Sequence, residues 1–129
     1  ATVHRGTGFH LVEVADAESV RGLEPDIGAL ARIESRGMIV TAAGPGGAGP
    51  DVVSRVFAPW SGIAEDPVTG SAHCMIAPHW ASRLGPTLRC HQASARGGDV
   101  GTTLDGDRVR LVGHAVTVAR TELLATEVL

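Results

Sequence analysis

The stretch that most limits the architecture runs from Glu65 to Gly85, a sharp polar turn that opens onto a mostly apolar helix. Asp66-Pro67 forces an extended or turning residue ahead of the proline, Thr69 and Ser71 can cap, and Gly70 allows close backbone approach. The helix is expected to begin near Thr69 and to stop at Gly85. Ala72, Met75, Ile76, Trp80 and Leu84 recur at spacings of three and four, while Ala77 and Ala81 fill other faces, so the helix reads as buried. Pro78 removes one backbone donor and predicts a kink or local loosening.

The start of such a helix carries free N–H groups and the positive end of the dipole, which suits a carboxylate or phosphate. Asp66 stands beside it as a candidate proton carrier, and Glu65 adds a second carboxylate that can tune a pKa for acid/base work. The plain alternative keeps Thr69 and Ser71 as ordinary caps and Asp66 as a turn residue. His73 lies one turn into the helix, placed either to reach the anion or to hydrogen-bond inside the core, and the core role is favoured.

Strand signals flank this helix on both sides. Phe9–Val14 alternates, Asp16 caps a short helix ending near Leu23, and a second helix is expected over Asp26–Ser35, closed by Gly37. Met38–Ala42 reads as a buried strand, Gly44–Pro50 as a surface hairpin connection and Asp51–Ala58 as the next strand. After Gly85 come strands at Thr87–Gln92, Val100–Leu104 and Arg108–Val112, with turns at Arg96–Asp99 and Asp105-Gly106-Asp107, and a last strand over Ala115–Leu124. Strands, one long helix and a closing meander make the chain α+β. Gln92, Ser94 and Arg96 alternate and read, by themselves, as a solvated strand face.

Composition narrows the function. A chain of 129 residues suits one domain over residues 1–129, and with 43% apolar but only 3% aromatic residues its core must be aliphatic, anchored by Trp60 and Trp80. A net charge of −3 without a basic run argues against nucleic-acid and membrane-surface partners. No apolar run is long enough to span a bilayer and the N-terminus lacks a signal-peptide pattern, so a cytoplasmic location is expected. The chain does not begin with Met, which fits a processed or shortened product. Cys74 and Cys90 fit buried reduced thiols. His73, Cys74 and His79 raise the idea of a metal, but His73 and Cys74 point about 100° apart on a helix, so no metal is expected.

Phe57-Ala58-Pro59-Trp60, Gly62-Ile63 and Glu65-Asp66-Pro67-Val68-Thr69-Gly70-Ser71-Ala72-His73 resemble the second-lobe signature of the phenazine-biosynthesis-like (PhzF-like) isomerases. Trp80, Leu84-Gly85, Gln92-x-Ser94-x-Arg96-Gly97-Gly98 and Arg108-Val109-x-Leu111-x-Gly113-x-Ala115-Val116 extend the resemblance from Phe9 almost to the end. It implies a diaminopimelate-epimerase-like lobe, a curved mixed or antiparallel sheet forming a half-open barrel around one central helix. Two such pseudo-symmetric lobes would hold a small carboxylate-bearing metabolite between them without any cofactor. On that resemblance Asp66 and Ser71 are catalytic, and Thr69, Gly70, Ser71, Ala72 and His73 bind substrate, with the amides of Gly70, Ser71 and Ala72 facing its carboxylate. The family's principal glutamate and a partner histidine come from the first lobe, and no segment here resembles it. The expected activity is therefore proton transfer shared with a separate first-lobe segment. A catalytically silent binding or assembly module, dimerising through the lobe face, is the rival reading.

Overall fold

The computed structural model describes residues 2–6 and 8–122. Seven strands follow one another across a single sheet in chain order: β1 (Thr2–Gly6), β2 (Phe9–Glu13), β3 (Gly37–Ala43), β4 (Val52–Phe57), β5 (Thr87–Gln92), β6 (Gly98–Asp105) and β7 (Arg108–Val112). Only β2–β3 and β4–β5 are parallel, and these are the two places where helices intervene. The first crossover carries α1 (Ala17–Arg21) and α2 (Ile27–Leu30); the second carries a 3-10 turn (Pro59–Ser61) and α3 (Gly70–Leu84). α3 touches β2 on one side and β5, β6 and β7 on the other, which requires the sheet to curl around it as a half-barrel.

Side-chain alternation divides the core in two. Phe9, Leu11, Ile39, Val52, Val56, Leu88 and Cys90 point into the trough and meet Ala72, Ile76 and Trp80 of α3. The intervening Val40, Ala42, Val53 and Phe57 face outward beneath Val20, Leu23, Ile27 and Leu30. Because β3 and β4 are covered on both faces, they read in the sequence as continuous apolar runs.

α3 spans the expected residues, with Thr69 as N-cap and Gly85 as C-cap at φ 94°. Burial on all sides does not hold: Cys74, Pro78, Ser82, Arg83 and Leu84 are exposed, because the trough covers one face only. Cys74 is thus a surface thiol, while Cys90 is buried as expected and desolvation pushes it up to about 11. Trp60 is 57% exposed on the 3-10 turn, and Phe57 fills the core there instead. The second helix stops at Leu30, and Gly37 opens β3. A Cβ at Gly37 would lie 2.8 Å from the Phe9 ring, so the glycine is required by packing. β1 lies outside the expected strands, and residues 113–122 are exposed and form no strand, with Val116 and Val118 among the exposed apolar side chains. The remainder of the expected last strand, Leu123 and Leu124, lies outside the described residues. No helix among the described residues is long and apolar enough to cross a membrane.

Two devices fasten α3 to the sheet. Glu13 on β2 accepts from both guanidinium nitrogens of Arg83 at 2.7 Å and pairs with His79 Nε2 at 2.6 Å, while Arg83 stacks on Trp80 at 4.1 Å. The Arg83 hydrogen bonds, aided by His79, lower the Glu13 carboxyl from 4.5 to about 2. Deeper in, Trp80 Nε1 donates to Thr41 Oγ1 at 3.1 Å, and the Thr41 hydroxyl donates to the Val53 carbonyl.

Acid stability has two windows. Burial holds the His73 imidazolium below its ordinary 6.5, so the unfolded chain binds that proton more readily. This contribution is complete above pH 6.5 and fades as the pH falls toward the lowered value in the folded state. The Glu13 contribution is present above pH 4.5 and is lost as the pH falls toward 2. Urea unfolding between pH 7.5 and 3 is expected to show both declines. His73→Gln removes part of the upper one; Glu13→Gln flattens the lower and costs about 1–2 kcal/mol at neutral pH once solvent screening is allowed for. Slopes identical to wild type in both variants contradict this assignment. In addition, a Cβ on Gly98 would collide with Val68 of the loop before α3. Gly98→Ala is expected to lower stability by about 1–3 kcal/mol in the same unfolding measurement. A variant as stable as wild type would show that Val68 is not seated there.

Candidate functional site

The loop between the 3-10 turn and α3 is held in place by hydrogen bonds from β4, from β5 and from the β5–β6 connection. The Asp66 amide donates to the Val56 carbonyl of β4 at 2.9 Å. Gln92 Nε2, at the end of β5, donates to the Asp66 carbonyl at 2.6 Å. Ser94 Oγ donates to the Pro67 carbonyl at 2.8 Å and accepts from the Gly97 amide. Val68 then packs over Gly98, the first residue of β6. Gly97 turns the chain into that strand at φ 70°, so the Gly97-Gly98 pair serves the loop's seat.

Within this frame Asp66 and Thr69 meet. The Thr69 hydroxyl donates to Asp66 Oδ2 at 2.6 Å, so Thr69 caps the helix by position and not through its side chain. Gln92 Oε1 accepts from the Thr69 amide at 2.9 Å, and Gln92 Nε2 also reaches Thr69 Oγ1 at 3.1 Å. His73 Nδ1 donates to the Thr69 carbonyl at 2.8 Å, which leaves Nε2 as the ring's lone-pair nitrogen. His73 is wholly buried, as its core role requires, and that burial keeps it neutral.

Gly70 and Ser71 are exposed at the first turn, and the Ala72 side chain is buried in the core, leaving only its amide to contribute. Among the described residues no side-chain oxygen accepts from the amides of Gly70, Ser71 or Ala72, and no bond joins Ser71 to Asp66. Glu65 does not join the site. Both its oxygens are taken by Arg55 at 2.7 and 2.9 Å, and Arg55 Nη1 donates onward to the Leu23 carbonyl at 2.6 Å. This pair fastens the loop to the α1 side of the sheet.

Two surface hollows lie elsewhere, one of about 460 Å³ beside Arg89, Gly101 and Val112 and one of about 610 Å³ beside Asp16, Arg21 and Pro45. With Gly70 and Ser71 exposed and Asp66 half-buried, the helix start forms an open face. Among the described residues no group of three or more His, Cys, Asp or Glu side chains converges as a metal site.

Gln92 is the residue whose importance the sequence reading missed. Far from lying on a solvated face, it is wholly buried, and Ser94 is tied to the loop. The signal was present in Leu88, Cys90 and Gln92, which alternate onto one face whose first two members are apolar. A polar residue third in such a row must find buried partners.

The family model for phenazine biosynthesis-like proteins matches residues 1–121. An uncharacterized isomerase of Pseudomonas aeruginosa is 53% identical over 110 residues, covering 84% of this chain and 41% of that protein. An uncharacterized isomerase of Halalkalibacterium halodurans is 43% identical over 123 residues, covering 95% and 46%. The crystal structure of a PhzF-family phenazine biosynthesis protein from Enterococcus faecalis superposes with a TM-score of 0.76 at 36% identity, covering 89% of this chain and 46% of that one. The chain therefore spans less than half the length of these relatives. On the strength of the family match and the curled sheet it shares with that structure, the chain belongs to the phenazine biosynthesis-like (PhzF-like) family.

Proposed function

We propose that this chain supplies one half of a cofactor-independent isomerase site that moves a proton on a small carboxylate-bearing metabolite. The observation that carries the reading is the fastened Asp66 beside a helix start whose Gly70, Ser71 and Ala72 amides are not taken by side chains. Such amides bind a carboxylate and gain strength as negative charge grows on it when the neighbouring C–H is deprotonated. Asp66 carries the proton between positions and Ser71 orients the substrate. The isomerase names of two relatives support the class of reaction.

The open face fits a site completed from outside these residues, and the relatives are more than twice as long. The complementary acid/base group comes from a first lobe, as a separate segment of the protein. The proton leaves a carbon beside the carboxylate and returns at another position or face, so the product has the substrate's composition.

The test joins the chain to a cognate first lobe and follows deuterium uptake from solvent into a panel of small amino and hydroxy acids by mass spectrometry. Asp66→Asn is expected to reduce exchange by about 10²- to 10⁴-fold, the range typical of a lost general acid or base. Ser71→Ala is expected to reduce it by about tenfold, the worth of one hydrogen bond to a charged group. Undiminished exchange in both variants would sink the assignment of roles.

A further inference from the structure

We propose that Gln92 is the positioning residue of this site: acting through Thr69, it fixes Asp66 Oδ1 as the oxygen that exchanges the proton. The Gln92 amide has one orientation that satisfies its surroundings. Its Oε1 accepts from the Thr69 amide at 2.9 Å. Turned over, Oε1 would oppose the Asp66 carbonyl oxygen, now 2.6 Å from Nε2, and Nε2 would face the Thr69 N–H. Nε2 therefore directs one proton to the Asp66 carbonyl and the other to Thr69 Oγ1.

The consequence passes along the chain of bonds. Thr69 Oγ1 already receives a proton from Gln92, so its own hydroxyl proton goes to Asp66 Oδ2 at 2.6 Å. That oxygen is held as an acceptor, and the bond stops the carboxylate from turning over and exchanging its two oxygens. Among the described residues no donor reaches Oδ1. When Asp66 delivers a proton, the Oδ1–H bond breaks and its electron pair stays on the carboxylate; when Asp66 takes one, the bond reforms. Oδ2 keeps its contact with Thr69 in both states. Gln92 is wholly buried and acts only through the loop and Thr69.

The catalytic part of this inference rests on the proton-transfer reading above, whereas the bond directions do not, and two measurements separate them. In the labelled chain alone, both side-chain amide protons of Gln92 are expected to be protected from solvent exchange by NMR. In Thr69→Val one of the two loses its partner and shifts upfield, while Thr69→Ser keeps both in place. Rapidly exchanging Gln92 protons, or a Thr69→Val spectrum with both unchanged, overturns the proposal. In the deuterium-uptake assay Gln92→Glu, which keeps the shape but removes the pair of N–H donors, is expected to lower kcat by about 100-fold, the scale of a small misplacement of a reacting group. KM stays within about threefold, because the groups that bind the carboxylate are untouched. Thr69→Ser, which keeps the hydroxyl, loses less kcat than Thr69→Val, and Thr69→Val combined with Gln92→Glu is no worse than either alone, as one shared path requires. A folded Gln92→Glu variant with wild-type kcat, or additive losses, overturns the positioning role. If Gln92→Glu does not fold, the Thr69→Val and Thr69→Ser pair carries the same comparison. Absence of exchange in the wild-type protein counts against the proton-transfer reading alone, and the Gln92 spectrum still decides the bond directions.

Discussion

The buried amide of Gln92 is the interaction on which the geometry of the site depends. It meets the loop's backbone at both ends, accepting from the Thr69 amide and donating to the Asp66 carbonyl. A loop of this composition, with Asp-Pro-Val-Thr-Gly in succession, has no internal ladder to define its shape. Its shape comes from the sheet, which offers one side-chain amide with donors and acceptor in the order the loop needs. Leaving either backbone group unpaired inside the trough would cost about 1–3 kcal/mol. The same fact that fixes Asp66 therefore also makes the loop rigid.

This seam belongs to a larger polar row. Thr41, Ser54 and Gln92 stand opposite one another across β3, β4 and β5, all facing α3. Thr41 anchors Trp80 toward one end of the helix, and Gln92 anchors Thr69 at the other. Between these points the contact is aliphatic, through Ile76, Ala72 and their neighbours on the sheet. Apolar burial supplies the attraction, which is indifferent to direction, and the two polar anchors set where along the trough the helix lies. Glu13 with Arg83 and His79 repeats that service at the helix's outer end.

Much of this was legible from the sequence where the signal was local. The limits of α3 followed from Thr69 and Gly85, the strands at 9–14 and 51–58 from alternation, and the strand at 38–42 from its apolar, β-branched run. The resemblance to the family came from a contiguous motif around Asp66 and is upheld by the family match. What escaped was set by distant neighbours. The size of Trp60 suggests a core anchor, but the 3-10 turn that carries it leaves it exposed. Glu65 was taken for a partner of Asp66 because it is adjacent in sequence, yet Arg55 claims it across the chain. β1 pairs along β2, whereas residues 113–122 carry apolar alternation at Val116 and Val118 and join no strand.

The parallel junction of β4 and β5 rests on three residue pairs, Val52 with Cys90, Val53 with His91 and Ser54 with Gln92. Side chains alternate strictly, so a slip of one residue there would turn His91 inward under α3 and send Gln92 to the outer surface. Correct alignment of the two strands and a competent loop are thus one event. A misthreaded chain would have nothing to hold Asp66, and the short junction works as a checkpoint that ties the seating of this loop to completion of the sheet.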